Sequence, residues 1–485
     1  MKNGATIAPG NSIDTLTVTG NLTLNSGSTT AMEINETSSD KLVVTGNASL
    51  GGSTLTVSNV GGRFFDWETF ELVNASGVSG EFTYDNTIAD FDSSRIDVSL
   101  DYSDPTKVTL TAKRKATDYE NTSAGALPRN ASEAARAIDA VSTGFGGDIT
   151  NALLQLEALG GLNPDGVTII DPTASLTSAL TDVTGVLYAN SALIPFMNAK
   201  TTQVYDRIAQ RHTLSHANNV WLQYYNQHDK VFSSENSPRF TNNMSGALVG
   251  YDRVLGDFLV GAYAGFGKSD LRQHHGSAMD VDDTTFGAYG GYITGDWSFK
   301  GTLFGGVQDY YGKRRIAFMN RTANGRYDGM NLGLDLEAAY NIPLTSAVTL
   351  KPFVGWLNHY AHQHGFAETN ADALNLHVNS NNQFTSQARV GVRVDGQIKN
   401  KFNWYGALAV KQIVGDDYSK LNMYLDLPNT DMKVVSAELG KTTFTGQVGA
   451  SYAFTDNWSV YANVDGGIND KSANCYGNLG VAYAW

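Results

Sequence analysis

Histidine residues are the first candidates for chemistry in this chain. His359, His362 and His364 lie close together, and His274 and His275 form a second group. Imidazole nitrogens bind zinc, but a zinc site needs its ligands fixed in a tetrahedral array. On an extended strand His362 and His364 share one face, whereas His359 lies on the other. The sequence therefore favours a hydrated rim beside a long loop, and it predicts no metal site.

Nucleophilic and thiol chemistry has equally little support. The sequence has neither a Gly-Asp-Ser-Leu nor a Gly-x-Ser-x-Gly motif, and its Ser and Thr residues are too numerous for one to be nominated. Cys475 is the single cysteine, which excludes an intramolecular disulfide framework and leaves one thiol for any metal site. The sequence therefore predicts no catalytic residue and no cofactor.

Composition narrows the class of protein further. The chain has 50 Gly, 23 Tyr, 21 Phe and 10 Pro in 485 residues, which is typical of a β-rich, turn-rich protein. A net charge of −14 argues against a nucleic-acid partner. Mean hydropathy is −0.24, and no apolar run reaches the roughly 18 residues of a transmembrane helix. The N-terminus lacks a basic and apolar leader, so we expect the chain to be the mature or C-terminal portion of a longer protein.

Residues 1–115 are predicted to form a β-solenoid. Short alternating runs rich in Thr and Val are separated by Gly and Asn, and Val18-Thr-Gly-Asn-Leu-Thr-Leu24 is echoed by Val44-Thr-Gly-Asn-Ala-Ser-Leu50. A repeat of about 26 residues fits rungs that bury their apolar faces on one another. An ordinary β-sandwich is the alternative, and the similarity of the two units makes it less favoured.

Residues 116–217 change to helical composition. Helices are predicted near 131–141 and 149–159, with Asp148 as the N-cap of the second, and Asp171-Pro172 can open a third. Residues 196–216 can form one more helix, which includes Tyr205, Arg207 and Arg211. Because this segment is too polar for lipid, we expect it to lie in a polar channel.

Alternation takes over from residue 218 to the end. Met330, Leu332 and Leu334 lie on one face of a predicted strand, while Asp335 and Glu337 lie on the other. Arg389 and Arg393 oppose valines in the same way. Many runs reach about ten residues, which suits a tilted membrane-spanning strand better than a soluble one. Trp297, Trp404, Trp458 and Trp485 are expected in interfacial girdles.

About twelve strands are predicted, with short turns alternating with long polar loops. The long loops are placed near 230–242, 269–282, 310–325, 361–384 and 415–439. This asymmetry indicates an outer-membrane barrel whose short turns face the periplasm. An even strand number puts both barrel ends on the periplasmic side, so a surface-exposed N-terminal region requires a segment that runs through the barrel. A helix over 196–216 would span about 30 Å, and Asp335, Glu337, Arg389 and Arg393 could pair with its charges. A solenoid in the periplasm is the alternative.

The C-terminus carries a further pattern. Asn478, Gly480, Tyr483 and Trp485 place a polar residue, a Gly and two alternate aromatic residues at the end of an amphipathic strand. A soluble protein rarely ends on an exposed apolar edge, whereas a barrel pairs its last strand with its first. The four residues resemble the C-terminal assembly signal of bacterial outer-membrane barrels.

The order of solenoid, helical linker and barrel resembles the C-terminal part of a type V autotransporter, over the whole chain. Gly4-Ala-Thr-Ile-Ala-Pro-Gly-Asn-Ser12 and Ser39–Gly46 are similar to the family's passenger repeat, and residues 64–82 are similar to its closing module. The resemblance implies an all-β fold with 1–115 as the passenger end and folding-assisting module, 116–217 as the linker, and 218–485 as the translocator barrel.

The resemblance also implies a function and a location. The barrel would anchor the protein in the bacterial outer membrane and mediate surface display of its own passenger, as a monomer. Its partners would be outer-membrane lipid, the barrel-assembly machinery and periplasmic chaperones, without nucleic acid. Some members cleave themselves by Asn cyclisation, but Asn218-Asn219 follows the predicted helix, so an ordinary turn is favoured there. An outer-membrane protease, a phospholipase or a porin-like channel is the alternative.

Overall fold

The structure is a computed structural model of the 485-residue chain. It describes residues 1–35, 37–60, 68–89, 96–115, 118–120, 127–141, 148–160, 174–197, 204, 217–399 and 401–485. The chain forms two compact units. The first consists of Met1–Leu127, Ala135–Thr177 and Leu427–Thr430, and the second of Pro128–Ala134, Ser178–Asp426 and Asp431–Trp485.

The first unit contains nine described strands. They are β1 (Thr6–Ile7), β2 (Thr15–Val18), β3 (Leu22–Thr23), β4 (Thr29–Ile34), β5 (Lys41–Ser49), β6 (Thr54–Asn59), β7 (Glu68–Ser79), β8 (Ile96–Asp101) and β9 (Lys107–Arg114). Strands β1, β4 and β6 form one parallel sheet, and β2, β5 and β7 form another. This is the stacking of a solenoid.

The repeated Thr-Gly-Asn motif explains the register of the stack. Val18 pairs with Val44, and Asn21 Oδ1 accepts a 2.8 Å hydrogen bond from Asn47 N of the next rung. A Cβ at Gly46 would lie 2.8 Å from the Gly20 carbonyl oxygen, so the close approach of the two turns requires glycine. Strands β7, β9 and β8 then pair antiparallel and end the parallel stack.

Five described helices follow in the chain. They are α1 (Arg129–Asp139), α2 (Asp148–Gly160), α3 (Ala174–Val183), α4 (Val186–Ser191) and α5 (Ile194–Met197). Helix α2 begins at Asp148, where the carboxylate complements the positive end of the helix dipole. No helix within the described part of the chain has the length and apolarity of a membrane-spanning helix.

The second unit is a closed antiparallel barrel of twelve strands. They are β10 (Asn218–Val231), β11 (Phe240–Leu255), β12 (Phe258–Gln273), β13 (Ala278–Thr294), β14 (Trp297–Ile316), β15 (Arg321–Tyr340), β17 (Val348–Gln363), β20 (Asn381–Ile398), β21 (Phe402–Val414), β24 (Thr442–Ala453), β25 (Trp458–Ile468) and β26 (Ser472–Ala484). Five short strands lie between them, namely β16 (Ile342–Pro343), β18 (Phe366–Ala367), β19 (Leu376–Val378), β22 (Lys420–Leu425) and β23 (Met432–Val435).

Pairing of β10 with β26 closes the barrel. Asn218 N donates to the Trp485 carbonyl and Trp485 N donates to the Asn218 carbonyl, both at 3.1 Å. Because every barrel strand then has two neighbours, the wall exposes no free edge for aggregation. The predicted twelve-stranded, all-β fold is confirmed.

The outer face of the barrel changes from apolar to polar along its long strands. On β14, Trp297, Leu303 and Val307 point outward and are about half exposed, and the next outward residues are Asp309, Tyr311 and Lys313. The apolar part covers about 34 Å of strand. At the usual tilt of such strands, that length gives a band about 25 Å tall.

Two of the five predicted long loops, 269–282 and 310–325, were placed too close to the membrane. Residues 310–325, predicted as a loop, are chiefly the ends of β14 and β15. The prediction was wrong because only the outward residues become polar there, while Tyr310 and Tyr327 remain buried and stack with ring centroids 4.6 Å apart. The strands therefore continue beyond the apolar band.

A second, smaller sheet lies at the long-loop end. Strands β18, β19, β22 and β23 form it from the connections that follow β17 and β21. Its buried residues include Leu376, Met423 and Val434. The side chain of Asn130 binds its β23 edge, accepting from Val435 N at 2.9 Å and donating to Val435 O at 2.7 Å. The first turn of α1 thus satisfies main-chain groups that a sheet edge would leave unpaired.

Candidate functional site: the interior of the barrel

An aromatic wall lines one side of the barrel interior. Trp221 Nε1 donates to the Tyr289 hydroxyl at 2.8 Å, and this hydroxyl donates to Asp252 Oδ2 at 2.8 Å. Alternation turns these side chains inward because Leu222 and its outward neighbours face the apolar band. The Trp221 Nε1 and Tyr289 hydroxyl groups of this hydrogen-bonded series therefore have partners while their rings fill space, as buried Trp and Tyr require.

Inward glycines make room for the rings. A Cβ at Gly250 would lie 2.3 Å from Trp221 ring carbons, and one at Gly287 would lie 2.4 Å from those of Tyr263. Such distances are impossible for real atoms in contact, so each ring lies flat over a glycine of the neighbouring strand. The high glycine content thus has a packing function in the barrel wall.

A charged cluster lines the opposite wall. Arg389 Nη1 donates to Asp335 Oδ2 at 2.8 Å, and Arg389 Nη2 forms ion pairs with Asp335 Oδ1 at 2.7 Å and with Glu337 Oε2 at 3.3 Å. Glu337 also binds Lys300 at 3.1 Å. Arg393 Nε donates to Asp395 at 2.6 Å. The four charged residues predicted for the lumen thus point inward and are buried or nearly buried.

The sequence prediction did not identify Lys300 on β14, although alternation could have done so because Lys300 has the inward phase of its strand. Asp395 on β20 has the same inward phase as Arg389 and Arg393. Lys300, Glu337, Arg393 and Asp395 line a cavity of about 480 Å³ at the short-turn end of the barrel. The wall is therefore polar enough to hold water or a charged segment of chain.

Helices α4 and α5 occupy the opposite end of the interior. All six residues of α4 are buried, and Met197 at the end of α5 accepts a 2.7 Å hydrogen bond from Gln227 Nε2 of β10. Val204 is fully buried in the cluster that contains Trp221, Tyr263 and Phe304. Tyr205, Arg207 and Arg211, which were predicted in the pore helix, lie outside the described residues.

The end of α3 contributes a partly buried carboxyl group at this end of the barrel. Asp182 Oδ2 accepts a 3.1 Å hydrogen bond from Ala317 N. Burial raises the pKa of Asp182 to about 6, although this hydrogen bond and the nearby Arg314 favour the ionised form. The group therefore holds a proton more readily than an exposed aspartate.

The fold separates His359 from His362 and His364, whose rings lie 4.6 Å apart. His359 points inward and lies between Phe304 and Phe196, with ring centroids 6.0 and 6.1 Å away. His362 binds Asn382 at 2.7 Å, and His364 pairs with Asp328 at 3.0 Å. In the described part of the chain no three His, Cys, Asp or Glu residues form a group that could hold a metal ion.

The C-terminal residues occupy both faces of β26. Asn478 points inward, where it accepts from Asn463 at 2.8 Å and donates to Tyr476 at 2.6 Å. Gly480 lies under the Tyr461 ring. Tyr483 and Trp485 stack on the outer face at 5.8 Å. They join the outward aromatic residues at the short-turn end, as an interfacial girdle does.

Asn218 and Asn219 are the first residues of β10, so the expected ordinary turn was wrong. Asn219 is buried, and its Nδ2 lies 3.3 Å from Asp252 Oδ2. Both residues are held in the extended ladder by pairing with β11 and β26. The turn was favoured because Asn is common in turns, but barrel closure decides the backbone here.

Comparison with known proteins identifies the family. The autotransporter β-domain family model matches residues 220–465. The chain belongs to this family. Membership of this family places the barrel in the outer membrane of Gram-negative bacteria, as the translocator and anchor unit of a type V autotransporter.

The chain is also similar to individual proteins. The uncharacterized protein YaiT of Escherichia coli is 26% identical over 322 residues, covering 61% of this chain and 31% of that protein. Lipase 1 of Photorhabdus luminescens is 22% identical over 162 residues, covering 33% of this chain and 25% of that enzyme. The translocator domain of autotransporter NalP from Neisseria meningitidis has the same fold, with a TM-score of 0.51 and 19% identity over 62% of this chain and 99% of that domain. This chain spans about a third of the length of YaiT.

Proposed function

We propose that this autotransporter barrel exports the residues that precede it and then displays them at the cell surface. The observation that carries the proposal is the position of three described residues. Met197 lies toward the long-loop end, Val204 lies inside the barrel, and Ala217 lies at the short-turn end. From these three positions we infer that residues 198–216 connect the two ends through the lumen.

Distances support this path. Ala217 O accepts a 2.8 Å hydrogen bond from Val254 N, next to the short turn after β11. Gln227, which binds Met197, lies eight residues further along β10 than Asn219, or about 27 Å of strand. Twenty helical residues cover about 30 Å, so a helix over 196–216 fits the span. We place Tyr205, Arg207 and Arg211 there, beside the wall that contains Asp335 and Glu337.

The first turn of α1 supports surface display. Asn130 and Glu133 bind main-chain groups of β23, with Glu133 Oε2 accepting from Lys433 N at 2.9 Å. Strand β23 belongs to the sheet at the long-loop end, which faces the outside of the cell in bacterial barrels. Residue 128 is therefore already on that side. We propose that residues 1–115 are the passenger end with a folding-assisting module, and that 116–217 are the linker.

Removal of the lumen segment tests the proposal. A chain lacking residues 1–216 should form a heat-modifiable barrel whose conductance in planar bilayers exceeds that of the full chain. A chain lacking residues 1–115 is the matched control, because it retains the linker and should stay closed. On intact cells, protease should digest residues 1–115 of the full chain. Equal conductance of all three proteins, or protection of residues 1–115, would contradict the proposal.

We also propose that Asn478, Gly480, Tyr483 and Trp485 are read as an assembly signal by the barrel-assembly machinery. Trp485→Asp places a charge near the interface, where the direct cost is about 0–1 kcal/mol. A strong loss of inserted barrel would therefore reflect recognition. Ser380→Asp, in an exposed loop position, is the control for added charge. Equal membrane yields of the two variants would refute the signal.

We propose no catalytic role for this chain. The matched family is a translocator domain, and the similarity to lipase 1 covers only a quarter of that enzyme. The proposed partners are outer-membrane lipid, the assembly machinery and periplasmic chaperones, with the chain as a monomer.

A further inference from the structure

A buried ion pair at the long-loop end joins the linker to the barrel. Arg314, near the tip of β14, and Glu368, in the connection after β17, have side chains that are 2% and 0% exposed. Arg314 Nε donates to Glu368 Oε1 at 2.8 Å, and Nη2 donates to Oε2. The pair is therefore bidentate, which is the strongest and most specific geometry for these groups.

The remaining hydrogen-bonding capacity of the pair is used by the linker and the loop. Arg314 Nη1 donates to the Asp182 carbonyl at the end of α3 at 2.8 Å, and Nη2 donates to the Leu374 carbonyl at 2.7 Å. Glu368 Oε1 accepts from the Tyr188 hydroxyl of α4 at 2.6 Å, and Oε2 accepts from Leu376 N at 2.8 Å. Both charges thus have partners from the linker helices.

Other linker contacts surround the mouth of the barrel. Asn190 binds Ser237 in the connection between β10 and β11 at 3.0 Å, and it accepts from Ala437 N before β24 at 2.8 Å. Ser191 binds the Tyr327 hydroxyl of β15 at 2.7 Å. Together with the ion pair, these contacts reach four of the six connections or strand tips at the long-loop end. Residues 178–197, from the end of α3 through α5, therefore fill the mouth that these connections surround.

Gly185 allows residues 178–197 to approach the connection that follows β17. It has φ +59°, and a Cβ there would lie 2.5 Å from Leu376 Cδ1. The left-handed backbone favours glycine, and a side chain there would displace Leu376. The turn between α3 and α4 is therefore adapted to contact this loop.

We propose that residues 178–197 form a cap that closes the long-loop mouth after export, and that the Arg314–Glu368 pair is its lock. The inference rests on the proposed function, because it names the element that closes the exit once the passenger has left. While the passenger is in transit, Arg314 and Glu368 would face a water-filled mouth and remain hydrated. Two apolar side chains at positions 314 and 368 would instead expose a hydrophobic surface to water at this stage. When the linker arrives, the same charges become buried and gain the Tyr188 and Asp182 partners.

The cap can be tested by the accessibility of a thiol beneath it. In a full chain with Cys475→Ser, Ser191→Cys places a nearly isosteric thiol at a fully buried position. A membrane-impermeant maleimide on intact cells should label it very slowly. Glu368→Gln leaves the Arg314 charge buried without its partner, which is strongly destabilising, and it should accelerate labelling on the order of a hundredfold.

Two matched variants separate the lock from general loosening. Lys420→Gln breaks the Lys420–Asp416 pair in a neighbouring connection, where both side chains are 56% exposed, and it should leave the rate unchanged. Arg314→Met combined with Glu368→Leu removes both charges and should restore most of the protection. Glu235→Cys, at an exposed loop position, should be labelled at one rate in every background.

Each outcome decides the proposal. An unchanged labelling rate in Glu368→Gln, in protein that still shows the heat-modifiable band of a folded barrel, would overturn the cap. If Glu368→Gln yields no folded barrel, Arg314→Lys carries the test, since it keeps the charge and loses the bidentate geometry. It should then raise the rate about tenfold, and no rise would overturn the cap. If the chain lacking residues 1–216 conducts but Glu368→Gln leaves the labelling rate of Ser191→Cys unchanged, the cap is refuted and the lumen path stands. If Glu368→Gln raises the labelling rate but the deletion does not raise conductance, the lumen path alone is refuted.

Discussion

In the N-terminal unit the apolar residues of each strand face inward, whereas in the barrel they face outward. Leu42, Leu110 and Val44 are at most 2% exposed, but Leu332 and Val448 are 54% and 61% exposed. The barrel interior instead contains Asp335, Arg389 and rings over glycines. Both regions have the same two-residue period. The comparison shows that alternation specifies a strand, while the surrounding solvent decides which face becomes the core.

The polar interior of the barrel predicts that removing a charge there lowers barrel stability more than removing a charge on the outer face. Arg389→Met leaves Asp335 buried without its cationic partner, so we expect a loss of about 3–5 kcal/mol in barrel stability. The temperature at which the heat-modifiable band shifts should fall clearly. Arg272→Met is the matched control, because Arg272 pairs with Asp280 on the outer face with its side chain 48% exposed. Similar shifts for both variants would break the comparison.

Truncation of an apolar side chain should show the opposite dependence on region. Leu110→Ala opens a cavity in the N-terminal core and should lower the free energy of unfolding of that unit by about 2–5 kcal/mol. Leu332→Ala should have a far smaller effect on the barrel, because lipid fills the vacated space. Pulse proteolysis of the full chain in urea measures the effect of Leu110→Ala. The temperature at which the heat-modifiable band shifts measures the effect of Leu332→Ala. A larger barrel effect would contradict the inside-out arrangement.

A surface ion pair of the N-terminal unit should give the smallest effect, with a defined pH dependence. Hydrogen bonds from Lys41 and Asn74, with Lys107 nearby, lower the pKa of Glu71 from 4.5 to about 2. A folded pKa below the unfolded value adds stability above pH 4.5 that is lost as the pH falls through 2. Glu71 is about a quarter exposed, so solvent screens the pair and Glu71→Gln should cost about 0.5–1 kcal/mol at neutral pH.

The same urea titration, repeated across pH, checks this dependence. The difference between Glu71→Gln and the unchanged chain should disappear as the pH approaches 2. Glu81→Gln, at an exposed position of the same unit, should have little effect at any pH. A Glu71→Gln difference that persisted at low pH would point to lost packing instead of lost charge.

The sequence by itself determined the local periods of this protein. The Thr-Gly-Asn repeat defines the rungs from residue 18 to 50, and the two-residue alternation identified all twelve barrel strands. Alternation also placed Asp335, Glu337, Arg389 and Arg393 on inward faces, because facing depends only on the position of a residue in its strand. The ends of the long strands were missed, since their outward residues are as polar as a loop.

Only the tertiary structure decided which inward residues meet. Arg389 and Asp335 are 54 positions apart, and Arg314 and Glu368 are also 54 positions apart. Both pairs depend on the registers of successive strands around the barrel and on where each connection folds back. The burial of α4 in the mouth depends further on contacts with several connections at once. A local pattern encodes the face of a residue, but closure of the barrel sets its partner.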